Sequence, residues 1–225
     1  MAPSRCLVCH AWPAQPLCDA CIARFARPVP RCRRCALPIA GADPERECGT
    51  CLKSPPPLDA CLAAVAYEYP WPDCIASFKF NANPGLAAPL AQLLRSAPGV
   101  EPTLERSDLL LPMPLSHQRL RERGFNQALA LARHLGASKT DATLLLRVRE
   151  TRPQQQLHRA ERRRNVEGAF ALDPLRSGSV HGRRVALVDD VMTSGASLHA
   201  AARVLRQAGA AEVVALVVAR TDEQH

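Results

Sequence analysis

The 225-residue chain has room for one α/β domain of ordinary size and a small appendage, and with 47% hydrophobic residues it can build a real core. No stretch approaches the roughly 18–20 uninterrupted apolar residues that cross a bilayer, which argues against membrane insertion. The opening MAPSRCLVCH has no apolar signal region, so a cytoplasmic location is expected. The net charge of +8 is local: between His117 and Val166 stand twelve Lys or Arg against four Asp or Glu. Apart from Lys53, Lys79 and Lys139, every basic residue is Arg. Arg pairs bidentately with phosphate oxygens, so an Arg-rich middle suits a phosphorylated ligand or nucleic acid; a solvated basic surface is the alternative.

The first 57 residues carry four identical cysteine spacings: Cys6-x-x-Cys9, Cys18-x-x-Cys21, Cys32-x-x-Cys35 and Cys48-x-x-Cys51. Each pair can sit on a tight turn that aims two thiolates at one ion, and Zn²⁺ takes four ligands in a tetrahedron, so four pairs predict two closed structural sites. Large apolar side chains are few here, and metal binding would supply the folding free energy that a core cannot. A disulfide framework needs an oxidising compartment, which nothing in the sequence signals. Sequential pairing of the motifs gives two consecutive ribbons and is favoured; a cross-brace, first with third and second with fourth, stays open. Cys61 and Cys74 stand outside the pattern, in apolar company, and read as core residues.

Pro55-Pro56-Pro57 reads as a stiff connector, which places a boundary between a zinc-ribbon module, 1–57, and a second domain, 58–225. Beyond it, strand and helix signals alternate. Strands are expected at Leu62–Tyr69, Asp108–Leu111, Thr143–Val148, Arg184–Val188 and Glu212–Ala219, and helices at Leu86–Leu94, Gln127–Leu135 and Gly195–Ala208. Apolar runs alternating with helices imply a parallel sheet covered on both faces.

The densest signal is RVALVDDVMTSGASLHA, residues 184–200. A buried strand ends in Asp189-Asp190, and a short loop, Val191–Ser194, passes through Gly195 into a helix. Ligands bind at the C-terminal ends of parallel strands, and a helix N-terminus presents free N–H groups and a positive dipole end. Thr193, Ser194 and Ser197 add hydroxyls, and Gly195 lets the backbone approach a ligand. Two adjacent carboxylates repel each other and call for a cation or hydroxyl groups. A sugar phosphate satisfies both halves, with its diol on the carboxylates and its phosphate on the loop. No Gly-Lys-Ser/Thr is present, so this is not a P-loop.

The stretch resembles the phosphoribosyl pyrophosphate (PRPP) signature of type I phosphoribosyltransferases, and the resemblance implies PRPP binding by Asp189, Asp190, Val191, Met192, Thr193, Ser194, Gly195, Ala196 and Ser197, with Asp189 and Asp190 catalytic. Further segments resemble the ComF/GntX family, which joins a cysteine-rich N-terminus to such a domain. They are LPMPLSHQRLRERGFNQ at 111–127, TRPQQQLHRAERRRNVEGAF at 151–170, and Cys48-Gly49-x-Cys51 with the PPPLD that follows and Phe78-Lys79-Phe80. The resemblance implies a pyrophosphate loop at Pro112, Met113, Pro114, Leu115 and Ser116, and a flexible loop carrying Gln154, Arg162 and Asn165. It also implies the type I phosphoribosyltransferase fold and Mg²⁺ carried with PRPP.

The leading expectation is transfer of a ribose 5-phosphate group from Mg²⁺-PRPP to an acceptor, with release of pyrophosphate. No segment reads as a purine or pyrimidine recognition element, so the acceptor is unassigned. The alternative is a PRPP-binding protein without turnover that handles single-stranded DNA, since relatives in the resembled family are linked to competence and DNA uptake. The basic middle and the ribbons suit such contact; aromatic residues at 4% make a thin stacking platform. A third expectation is a protein partner docked through the ribbons.

Overall fold

In the computed structural model the described residues are 4–41, 43, 46–80, 83–149 and 166–222. Two short helices, α1 (Asp19–Phe25) and α2 (Gly49–Lys53), each follow a cysteine that occupies the N-cap position. The remainder runs β1 (Ala60–Ala66), α3 (Trp71–Phe80), α4 (Ala87–Arg95), α5 (Val100–Arg106), β2 (Leu109–Pro112), α6 (His117–Arg123), α7 (Gln127–Gly136), β3 (Leu145–Arg147), β4 (Phe170–Leu172), β5 (Arg184–Met192), α8 (Ala196–Gln207) and β6 (Glu212–Arg220). β1, β6, β5 and β2 form a parallel sheet in that order, while β3 and β4 pair antiparallel as a separate ribbon.

The alternation of side chains along β5 and β6 divides the core in two. Val185, Leu187, Val213, Ala215 and Val217 face α8, whose Leu198, Ala201, Ala202 and Leu205 form one apolar stripe. Ala186, Val188, Val214, Leu216 and Val218 face the opposite layer of α3, α4 and α7. Both faces are covered, as the continuous apolar runs of the two central strands require.

The cysteine-rich segment straddles the β1 edge of this sheet. Leu17 packs into the core beside Trp71 and Ile75, and the Trp71 indole donates to the Phe25 carbonyl at 3.1 Å. Cys32, Cys35 and Cys51 instead join the core on the α8 face. Between them the chain lies along β1, where the Cys61 amide donates to the Arg33 carbonyl at 2.8 Å and Arg34 donates to Leu58 O at 3.1 Å. A strand edge that would otherwise invite pairing is closed by the chain's own N-terminal segment.

Three expectations shift. The strand carrying Asp189-Asp190 does not end there: its ladder continues through Val191↔Ala219 and Met192↔Arg220, because β6 is long enough to pair with it. The strand expected at Thr143–Val148 is Leu145–Arg147 and stands outside the parallel sheet, since β4 is its partner. Helix α3 has no counterpart among the expected elements; its Trp71, Cys74, Ile75 and Phe78 are the buried stripe that apolar periodicity could have revealed. Cys61 and Cys74 are core residues, 1% and 3% exposed.

Candidate functional site

A cavity of about 380 Å³ opens at the C-terminal ends of β1, β2 and β5. Its floor is Asp189 and Asp190, one wall is Thr193 with Gly195, Ala196 and Ser197, and the other is built by Lys79 and Phe80 of α3 with Arg119 and Arg123 of α6. The turn is shaped by Gly195, whose φ of +72° is a left-handed conformation that L side chains rarely adopt. A Cβ there would meet only the tips of the Met192 and His199 side chains, which can move aside, so it is the backbone conformation that calls for glycine. Helix α8 starts at the next residue, with His199 N–H donating to Gly195 O at 2.8 Å.

Val191, Met192, Thr193, Ala196 and Ser197 line the cavity together with the two aspartates. Ser194, also expected at the site, does not line the cavity; its hydroxyl is buried and has no hydrogen-bond partner among the described residues. Met113, Pro114 and Leu115 also reach the cavity. Pro112 ends β2 behind them, and Ser116 caps α6 by accepting from Arg119 N–H at 3.3 Å. Asn126 holds this loop down, donating from Nδ2 to Met113 O at 3.1 Å. Gln154, Arg162 and Asn165, like Arg159, Arg163 and Arg164, lie outside the described residues. Of the arginines in the 111–127 segment, Arg119 and Arg123 line the cavity and Arg121 is exposed on α6.

The cation that the paired carboxylates call for is Lys79, with Nζ 2.9 Å from Asp190 Oδ1. The sequence offered a signal for it, one of only three lysines, set between two phenylalanines. Gln127 was likewise unassigned. It is 1% exposed, its Oε1 accepts from Arg123 at 3.0 Å, and its Nε2 has no partner among the described residues. Arg123 also stacks on the Phe80 ring at 5.4 Å. Burial, then the neighbouring Asp190 charge, pushes Asp189 up to about 7; Lys79, the Asp190 amide and Arg123 only partly offset this.

The eight motif cysteines form two clusters, Cys6, Cys9, Cys18, Cys21 and Cys32, Cys35, Cys48, Cys51, with the four sulfurs of each within 4.8 Å of one another. This is the sequential pairing. Burial opposes ionisation of Cys6, yet the amides of Cys9, Cys18 and Val8 outweigh it and bring the thiol down to about 6. In the second cluster the Cys48 amide donates to Cys32 Sγ at 3.2 Å. Burial and the crowding of other thiols push Cys21 and Cys51 up. Four thiolates so close cannot coexist without a cation, and each set could hold a tetrahedral metal ion such as zinc.

A pH-dependent stability follows from Asp189. Its carboxyl ionises at 3.8 ordinarily and at about 7 in the fold, so the folded state holds a proton that the unfolded chain has lost. Stability from this group therefore falls as pH rises from about 4 to about 7 and is level beyond. Asp189→Asn removes the penalty. Its melting temperature should match wild type near pH 4, exceed it increasingly toward pH 7, and hold a constant excess above; a pH-independent difference would contradict the shift.

A model of the phosphoribosyl transferase domain matches residues 121–225. The chain is 33% identical over 216 residues to DNA utilization protein YhgH of Salmonella typhimurium, covering 91% of this chain and 90% of the relative. It is 32% identical over 211 residues to competence protein F of Haemophilus influenzae, with the same coverage of 91% and 90%. With competence protein ComFC of Bacillus subtilis it shares 36% over 106 residues, 47% of this chain and 41% of the relative. Similarity along nine-tenths of both chains, a parallel sheet carrying a phosphoribosyltransferase domain, and two four-cysteine clusters ahead of it show that the chain belongs to the ComF family of phosphoribosyltransferase-like proteins.

Proposed function

We propose that this protein binds Mg²⁺-PRPP in the cavity at the ends of β1, β2 and β5 and transfers its ribose 5-phosphate group to an acceptor. The observation that carries the reading is the combination, in one cavity, of a carboxylate pair, a glycine-shaped helix N-terminus and a flanking pair of arginines. In this reading the N–H groups of the 193–197 turn, aligned with the α8 dipole, hold the 5-phosphate. Asp189 and Asp190 accept from the ribose 2- and 3-hydroxyls and meet the positive charge that develops on the ring as pyrophosphate leaves. Arg119 and Arg123 face the negative charge building on the leaving group. Bound with the substrate, Mg²⁺ supplies further neutralisation of the pyrophosphate oxygens. Met113, Pro114 and Leu115 contribute the backbone beside the pyrophosphate, and Gln154, Arg162 and Asn165 are assigned to a loop over the site on the strength of the family motif alone. Residues 1–57 act as a zinc-held module and residues 58–225 as the phosphoribosyltransferase domain.

A second reading is favoured by the names of the relatives, a DNA utilization protein and competence proteins. Here PRPP is bound without turnover and the basic surface holds single-stranded DNA. Among the described residues no helix is long and apolar enough to cross a membrane. Pyrophosphate release in an acceptor screen supports transfer. Salt-sensitive DNA binding with no release under any acceptor supports the second reading.

Calorimetry with PRPP and Mg²⁺ tests the site itself. The variant carrying both Asp189→Asn and Asp190→Asn should stay folded and lose affinity by roughly a hundredfold or more, from two charge-assisted hydrogen bonds of about 1.5–3 kcal/mol each. Wild-type affinity in that variant would remove the carboxylates from the site. For the cysteine clusters, elemental analysis of protein purified without chelators should find about two zinc ions per chain, one per four thiolates; one or none would contradict the two-site assignment.

A further inference from the structure

We propose that Arg220 is the positioning residue that sets the Met192–Ser194 backbone in its ligand-binding orientation, and that through Arg220 this turn answers to the second cysteine cluster and not to the first. The proposal rests on the reading of the turn as a phosphate cradle. Arg220 ends β6 and is 1% exposed, among the largest fully buried side chains of the protein. A guanidinium so deep must be matched by acceptors on several sides. Its Nε donates to Cys35 O at 2.8 Å, and its Nη1 donates to Met192 O at 3.2 Å and also to Thr193 O. One planar fork thus joins the knuckle of the second cluster to the turn at the cavity wall, a bridge that the single point charge of a lysine cannot span.

The direction of these bonds matters. In a planar trans peptide the N–H points opposite to the C=O. The Met192 carbonyl shares its plane with the Thr193 N–H, and the Thr193 carbonyl shares its plane with the Ser194 N–H. Drawing both carbonyls inward onto Arg220 turns both N–H groups outward, to the side where a phosphate would accept from them. Thr221 N–H, which also donates to Met192 O at 3.1 Å, strengthens the first of these planes. Packing adds a second link, since the Cys61 thiol lies 3.4 Å from Met192 Sδ on the same core face as Cys32, Cys35 and Cys51.

The position of Cys35 O depends in turn on the knuckle. Cys32 N–H donates to Leu37 O at 2.7 Å, Ala36 N–H donates to Cys32 O at 2.8 Å, and Ala36 takes a φ of +56°. A metal ion clamping Cys32, Cys35, Cys48 and Cys51 would hold that strained turn closed. The first cluster reaches the core on the other face of the sheet, through Leu17 and Trp71, away from Arg220. The two clusters are therefore not equivalent: one braces the α3 side of the domain, the other the cradle.

The test uses the full chain and two readouts: hydrogen exchange at the Thr221 and His199 amides, which donate to Met192 O and Gly195 O of the turn, and titration with Mg²⁺-PRPP. Arg220→Ala should speed exchange at these two amides while the amides of Ala186–Val188 in β5 stay protected. It should weaken PRPP by roughly tenfold to a hundredfold, one to two hydrogen-bonded peptide planes' worth, with partial recovery on adding ethylguanidinium to refill the space. Cys48→Ser should lose one metal ion and show the same exchange and affinity changes. Cys9→Ser should lose one metal ion and show neither. If Arg220→Ala does not fold, the two cysteine variants and Arg220→Lys decide. Equal effects of Cys48→Ser and Cys9→Ser, or unchanged exchange at Thr221 and His199 in the folded Arg220 variants, overturn the proposal. Wild-type protein that fails to bind PRPP would overturn the cradle reading instead, and the exchange data would still judge the role of Arg220.

Discussion

The parallel ladder between β5 and β6 runs on past the two aspartates to Met192 and Arg220, and the cavity takes its geometry from that extra length. Because the strand is still paired at Asp189 and Val191, the backbone that carries the two carboxylates is fixed by the ladder. Because the ladder ends at Met192, the next three residues must reverse direction into α8, which only a left-handed residue at Gly195 allows in so little space. Because β6 ends opposite, its last side chain, Arg220, falls directly beneath that reversal. The paired carboxylates, the turn into α8 and the guanidinium behind it thus follow from one pairing.

The electrostatic cost of the arrangement is met locally. Two carboxylates at the end of an apolar sheet are unfavourable in isolation, and the raised titration of Asp189 is the measure of it. Lys79 answers Asp190 from α3, and Arg123 adds positive charge from α6 while stacking on Phe80. A ligand that brings hydroxyl donors and a divalent cation would take over the work of Lys79. Under the proposed reading, function and stability pull in opposite directions here, since the charges are arranged for a ligand rather than for the fold.

Much of this was legible in the residues. Val185–Val188 and Val213–Ala219 announce buried parallel strands by apolar continuity alone, and the spacing of the four Cys-x-x-Cys motifs announces two four-cysteine clusters. What the sequence hid depends on contacts distant along the chain. The strand runs beyond Val188 because β6 is there to pair with it, and no local propensity favours Asp189-Asp190 in a ladder. Lys79 meets Asp190 only once α3 packs on the sheet, and Trp71, Ile75 and Phe78 were there to suggest that helix. Arg220 reads as one more exposed cation at a strand end. Its burial follows from the cysteine-rich segment wrapping the β1 edge, which spacing cannot show.

The central claim is that the 193–197 turn and the paired aspartates grip opposite ends of one sugar phosphate. A crystal structure of the protein with Mg²⁺-PRPP tests it most directly. The account predicts the 5-phosphate within hydrogen-bonding distance, about 3 Å, of the amides from Thr193 to Ser197, and the ribose hydroxyls at the same distance from Asp189 and Asp190. A phosphate seated elsewhere, with the turn and the carboxylates both untouched, would contradict it.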